Sequence, residues 1–221
     1  VGVESIAIPK SWKLFSYGDL CTVVRNGISK KPEGNDGVKI FRISAVRALT
    51  FDMEDYRFIY NELGDFDNFY LQKGDIVFTR YNGSKRFVGV SAQYKSEEPR
   101  LFPDKLVQTR PNLPSIHMPF LEKSLNSGFS RRFIESRIRT TAGQSGVSGT
   151  DIKQIPVPVC SIEEQIEINS ILEAKLSLIE SMERDIDINL KKSELLRQSI
   201  LKKAFSGQLV SQDPNDDPAS E

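Results

Sequence analysis

Ser161-Ile-Glu-Glu-Gln-Ile-Glu-Ile-Asn-Ser-Ile-Leu-Glu-Ala-Lys-Leu-Ser-Leu-Ile-Glu180 opens a run that reaches Ser206 without a glycine or a proline. Ser161 and Glu164 have capping-box spacing: the hydroxyl is placed to accept from an orphan backbone N–H, and the carboxylate to reach back. Apolar residues follow at 168, 172, 176, 179, 182, 186, 190, 196, 200 and 204, with Ser193 where the series lapses. They advance by close to 3.6 residues per turn and so stay on one face. Lys202 and Lys203 suit the negative end of a helix, and Gly207 suits the position just past it. The run therefore predicts one helix of roughly 43 residues, about 65 Å at 1.5 Å per residue. So long an apolar face asks for a second long helix. A fold-back onto its own domain, or a break into a hairpin, is the alternative.

Upstream of residue 160 the pattern is different. Short apolar runs alternate with turn residues, and strands are expected at 38–44, 57–60, 75–81, 88–94 and 105–109. Ser16 and Asp19 have capping spacing and Gly27 follows, which predicts a short helix over 17–24. Further helices are expected at 119–126 and 130–139. Gly146-Val-Ser-Gly149 reads as a flexible linker. The fold class is α+β, a mixed strand and helix domain followed by a single long helix. The expected domains are 1–160, the helical arm 161–207 and a polar tail 208–221.

Of the 221 residues, 38% are hydrophobic and 27% charged, which suits a packed globule rather than a disordered chain. No apolar run is long enough for a membrane span and no signal peptide opens the chain. Cys21 and Cys160 stand in no paired spacing, so a reducing cytoplasm is the expected setting. The net charge of zero hides an asymmetry. Residues 1–160 hold 23 Lys+Arg against 17 Asp+Glu, and residues 161–221 hold 7 against 13. A basic first part and an acidic second part point to different partners.

Catalytic equipment is not visible. His117 is the one histidine, beside Pro119 in a loop-like stretch. No G-x-x-x-x-G-K-[ST] loop, no metal-ligand spacing and no Asn/Asp-Pro-Pro-aromatic tetrapeptide of the amino-methyltransferases occurs. Asp104 and Glu122-Lys123 are too loosely arranged for a nuclease. Polar loops remain. Asn26–Gly34 carries Lys30 and Lys31. Arg80-Tyr-Asn-Gly-Ser-Lys-Arg86 places three cations, Asn82 and Tyr81 in a turn between strands, and Arg131, Arg132, Arg137 and Arg139 crowd one helix. Arginine and lysine suit guanine O6/N7, asparagine suits adenine N6/N7, and all can hold phosphates. The alternative is that these are solvated faces.

Ile155-Pro-Val-Pro-Val159, Glu163-Glu-Gln-Ile166 and Leu196-Arg-Gln-Ser-Ile-Leu-Lys-Lys-Ala-Phe-Ser-Gly-Gln-Leu-Val210 with Asp213-Pro214 together resemble the specificity subunit of Type I restriction–modification systems. Ile8–Lys13, Tyr17–Leu20, Asn26-Gly27, Arg42–Ser44, Gly74–Val77 and Val88-Gly89 are similar to its target-recognition domain, and Thr140–Gly146 to that domain's exit. The resemblance covers nearly the whole chain. A full subunit has two recognition domains and two long helices; this chain has one of each, as a natural half-subunit or a fragment would.

The resemblance implies a non-catalytic, cytoplasmic protein that reads one half of a bipartite double-stranded DNA target. It implies an antiparallel coiled coil between two long helices, and a homodimer if the chain is a natural half. It also implies docking of methyltransferase subunits, which carry the S-adenosylmethionine, and of a motor-nuclease restriction subunit. The chain itself is expected to hold no cofactor. From loop chemistry, Lys30, Lys31, Arg80, Asn82, Lys85, Arg86, Arg131 and Arg132 are the expected DNA contacts. From the stripe, Leu172, Leu176, Ile179, Met182, Ile186, Leu190, Leu196 and Ile200 are the expected partner face. The rival reading is a scaffold that binds protein without reading DNA.

Overall fold

The computed structural model describes residues 8–60, 64, 66–112, 114–141, 143–211 and 215; the Asp213-Pro214 pair and most of the polar tail lie outside them. From the N-terminus come β1 (Lys13–Ser16), a tight 3-10 turn at Tyr17–Leu20, and β2 (Cys21–Asn26). The next stretch holds β3 (Val38–Phe41), β4 (Val46–Arg47), β5 (Thr50–Phe51) and β6 (Tyr56–Ile59). Then follow β7 (Ile76–Thr79), β8 (Tyr81–Asn82), β9 (Ser91–Gln93) and β10 (Leu106–Pro111), and after them α1 (Met118–Leu125) and α2 (Gly128–Arg137). β11 (Arg139–Thr141), β12 (Gln144–Gly146), α3 (Gly149–Lys153) and β13 (Pro156–Val159) lead to α4 (Ile162–Phe205). This is the α+β architecture with one long terminal helix that the sequence pattern predicts.

Four strands pair antiparallel in the order β2-β10-β7-β9. All four residues of β7 are buried, and successive side chains of a strand point to opposite faces. Ile76 and Phe78 therefore pack with Tyr17, Leu121, Leu125, Ile134, Ile152 and Val157 on one side. Val77 packs with Phe41, Val46, Ala92, Tyr94 and Phe102 on the other. β10 divides its residues the same way, Val107 to the first cluster and Leu106 to the second. The sheet thus has helices and β13 on one face and the β3–β5 excursion on the other. β1 pairs with β13, Lys13 opposite Val159 and Ser16 opposite Pro156.

Polar residues inside this sheet are bonded. The Asp75 carboxylate, just before β7, receives Arg110 through Nε at 2.7 Å and Nη2 at 2.9 Å, the Gln72 N–H at 2.8 Å, and Gln108 Nε2. Hydrogen bonding to Asp75 raises Arg110 above its ordinary pKa. Gln108 Oε1 in turn accepts from Arg25 Nε at 2.6 Å. Thr109 Oγ1 donates to the Ile76 carbonyl and meets the Tyr17 hydroxyl, both at 2.7 Å.

Two expectations are corrected. Residues 17–24 are not a helix but a single turn followed by β2. Ser16 provides no side-chain cap, and Thr22, Val23 and Val24 are the β-branched residues that pack best on a pleated surface. Gly146–Gly149 is not a loose linker. Val147 is buried, and Ser148 caps α3: its Oγ accepts from Asp151 N at 3.0 Å while Asp151 Oδ2 accepts from Ser148 N at 2.8 Å. The remaining elements fall where expected with shifted ends. The strand expected at 88–94 keeps only Ser91–Gln93, and α2 stops at Arg137, so Arg139 belongs to β11.

α4 runs unbroken for 44 residues. Ser161 Oγ accepts from Glu164 N at 3.3 Å, but the Glu164 carboxylate takes the Trp12 indole N–H at 3.0 Å instead of closing the box. Gln165, fully buried, clamps the helix start: Oε1 accepts from His117 N, and Nε2 donates to the carbonyls of Ser115 and Cys160, each at 2.9 Å. Asn169 Oδ1 accepts from Lys123 Nζ at 2.7 Å. At the far end Gly207 has φ +71°, Gln208 N donates to Lys203 O and Gly207 N to Ala204 O, a Schellman close. Two compact units result, Val1–Asn169 and Ser170–Glu221. In the second, the stripe from Leu172 to Ile200 is exposed, as are Ile171, Leu178, Ile188, Leu195 and Leu201, which the stripe did not include.

Asp75→Ala leaves Arg110 and Gln108 without their acceptor and should cost about 3–5 kcal/mol. Urea unfolding of the full chain measures it; a loss under about 1 kcal/mol would be an ordinary surface effect and would contradict this role.

Candidate nucleic-acid interface

β7 delivers the chain to Arg80 at a point where three segments meet. Arg80 N donates to Lys105 O at 2.8 Å, and Arg80 O accepts from Val147 N at 3.0 Å. β8 then pairs with β12, Tyr81 opposite Gly146 and Asn82 opposite Ser145, and β12 pairs with β11. A Cβ on Gly146 would lie 2.2 Å from Tyr81 Cδ1, so the Tyr81 ring rests on bare backbone that any other residue would block. The Asn82 Oδ1 accepts from Ser84 N at 3.0 Å, the Asx geometry that turns the chain. Lys85–Phe87 completes the reversal as a 3-10 turn.

α2 holds this turn from beneath. Arg131 donates from Nη1 to Val88 O at 2.8 Å and from Nη2 to Arg86 O at 3.2 Å, while its Nε pairs with Glu135 at 2.8 Å. Its side chain is 14% exposed. Outside the turn, the guanidinium groups of Arg86 and Arg47 lie 4.4 Å and 4.5 Å from the Phe87 ring centre. Arg80 lies 4.7 Å from the Tyr81 ring centre and donates from Nη1 to Asp104 O at 3.5 Å.

Beside the turn opens a cavity of about 300 Å³ lined by Arg42, Ile43, Ser44, Tyr81, Asn82, Gly83, Lys105 and Gln144. Two cations, two amides and two hydroxyls face it, and no carboxylate does. Arg42 stands 3.6 Å from Asp55 with half of its side chain exposed. Side chains of these types can donate to phosphate oxygens and match base edges. The lining holds no acid–base pair. Desolvation pushes the partly buried thiol of Cys21 up to about 12, and burial raises the Tyr17 hydroxyl well above its usual value, so neither is set up as a nucleophile at neutral pH. Among the described residues no group of three or more His, Cys, Asp or Glu could hold a metal ion, and no helix is long and apolar enough to cross a membrane.

The structure gathers Arg80, Asn82, Lys85, Arg86 and Arg131 around one turn. Lys30 and Lys31 sit in a separate loop, both exposed, where Lys30 Nζ donates to Tyr60 O at 3.2 Å and lies 5.8 Å from the Phe66 ring centre. Arg132 is exposed on α2 with its guanidinium 5.0 Å from the Phe129 ring centre. Sequence reading missed Arg42, Arg47, Lys105 and Gln144. Each is isolated among unlike neighbours in the chain; Arg42 and Gln144 lay in stretches quoted for family likeness, with Ala142 of the second outside the described residues.

Residues 9–192 match the family described as the Type I restriction modification DNA specificity domain. The chain is 38% identical over 205 residues to the Type I restriction enzyme EcoKI specificity subunit of Escherichia coli K12, covering 91% of this chain and 44% of the relative. It is 28% identical to the StySPI specificity subunit of Salmonella potsdam, with the same coverage. The crystal structure of the HsdS subunit from Thermoanaerobacter tengcongensis superposes with a TM-score of 0.65 at 18% identity, over 97% of this chain and 53% of that one. A chain from a structure of an assembling type I R-M system gives 0.67 at 18%, over 93% and 48%. The chain therefore spans less than half the length of these curated relatives.

Proposed function

The chain belongs to the Type I restriction modification DNA specificity family, and from that premise we propose that it reads one half of a bipartite double-stranded DNA target. The observation that carries this reading is the cleft beside the 81–87 turn: donor-rich, free of carboxylates and built on paired strands. In this account residues 1–160 are the reading domain. Arg42, Lys85, Arg86, Lys105 and Gln144 face the duplex, Lys30, Lys31 and Arg132 hold flanking phosphates, and Asn82, Arg131 and Arg80 position the turn. Catalysis is left to partners: methyltransferase subunits that bind S-adenosylmethionine and a restriction subunit, all in the cytoplasm.

The apolar face of α4 is assigned to antiparallel pairing with a second helix of its kind, from another copy of this chain or from the other half of a longer subunit. The same frame would dock the methyltransferase subunits. The support is the exposure of Leu172, Leu176, Ile179, Met182, Ile186, Leu190, Leu196 and Ile200 along one helix.

DNA binding is tested by titrating duplexes at two salt concentrations with the full chain and its methyltransferase subunits. Lys85→Ala, Lys105→Ala and Lys30→Ala should each weaken all sequences alike and reduce the salt slope by about 0.9. Unchanged binding in all three would favour the scaffold reading. For the helix, Ile179→Asp or Ile186→Asp places an unpaired charge in the seam at a cost of several kcal/mol. Light scattering should then show loss of self-association. A wild-type chain that stays monomeric at tens of micromolar would place the second helix in cis.

A further inference from the structure

We infer that Gln144, at the start of β12, is the amide that reads a base edge in this cleft, taking the adenine of an A·T pair. The inference rests on the DNA-reading proposal and narrows it to one residue. A bidentate contact to adenine needs an amide whose oxygen accepts from N6–H and whose nitrogen donates to N7, so both ends must be free. Asn82 is poorly placed for this: its Oδ1 already accepts from Ser84 N, which pins the amide to the turn and leaves that oxygen one lone pair, and the orientation is fixed because a backbone N–H can meet only the oxygen end. Gln108 is buried and spent on Asp75 and Arg25.

Gln144 is exposed and its side chain makes no hydrogen bond to a described residue, yet its backbone is held in place. It stands opposite Thr141 in β11, and the next residue, Ser145, stands opposite Asn82 in β8. A free amide on a fixed strand is what geometric discrimination requires. The other groups in the cleft do different work. Lys105 is a point charge with donors only, Arg42 leans on Asp55, and Tyr81 lies between Gly146 and the Arg80 guanidinium. Asn82 is then a positioning residue, fixing the turn from which Lys85 and Arg86 reach out.

The test is selection from a duplex library randomised over a twelve-base-pair window, using the full chain with its methyltransferase subunits. Gln144→Ala should lose about 5- to 150-fold of preference at a single A·T position and keep the others. Gln144→Glu keeps the side-chain length but only accepts, and should move that position toward C·G, since a carboxylate accepts from cytosine N4. Asn82→Asp keeps the acceptor for Ser84 N and should bind more weakly with the same preferences. If Gln144→Ala and Gln144→Glu both select the wild-type sequence, or if Asn82→Asp is the variant that loses the A·T position, Gln144 is not the reader while DNA reading stands. If the wild-type chain selects no sequence, the DNA-reading proposal fails and this inference with it.

Discussion

The central strand of this protein has no wet side. With Ile76 and Phe78 in one core cluster and Val77 in the other, β7 can carry polar groups only at its two ends. At one end Asp75 is sealed by Arg110, Gln108 and the Gln72 amide. At the other, Arg80 leads out to the paired strands β8, β12 and β11, and the donor-rich cleft opens where the apolar layers stop. Burial of the sheet on both faces therefore decides where a binding surface can be. The same burial makes that surface rigid, because the chain enters it from a strand that cannot shift register without turning Ile76, Val77 and Phe78 to the wrong layers.

Basic residues of this chain divide by burial into two kinds, which their count alone does not separate. Arg100 is only 2% exposed: it pairs with Glu98 at 2.8 Å and its guanidinium stacks over the Tyr56 and Phe41 rings. Arg110 neutralises Asp75, and Arg131 ties carbonyls of the 85–88 turn to α2. These three are structural cations. Those left facing solvent around the cleft, Arg42, Lys85, Arg86 and Lys105, come from three separated parts of the chain. The excess of positive charge before residue 160 thus overstates what is available to a polyanion.

The long helix was readable because its signals are local. Ser161 accepts from the N–H three residues on, Gly207 takes the left-handed conformation, and nothing between them breaks the run. The turn at 81–86 was readable for the same reason. Where pairing partners are distant, local patterns misled. Thr22–Val24 became a strand because β10, more than eighty residues away, receives it. Glu164 abandoned its box for Trp12, 152 positions distant. Gln144 and Lys105 join Asn82 only through the folded sheet, so no window of sequence contains the cleft. Ser148 and Asp151 are the exception: their box is local, and the flanking glycines masked it.

The proposed DNA face is made by the 81–87 turn, β11, β12 and the 42–47 stretch, and amide hydrogen exchange tests it most directly. The full chain with its methyltransferase subunits is compared free and bound to its selected duplex. New protection is expected in residues 42–47, 81–87 and 139–147, with Ser16, Thr22 and Lys153, which line a separate groove beside Cys21 and Gln154, unchanged. Protection confined to that groove, or none in residues 81–87, would contradict it.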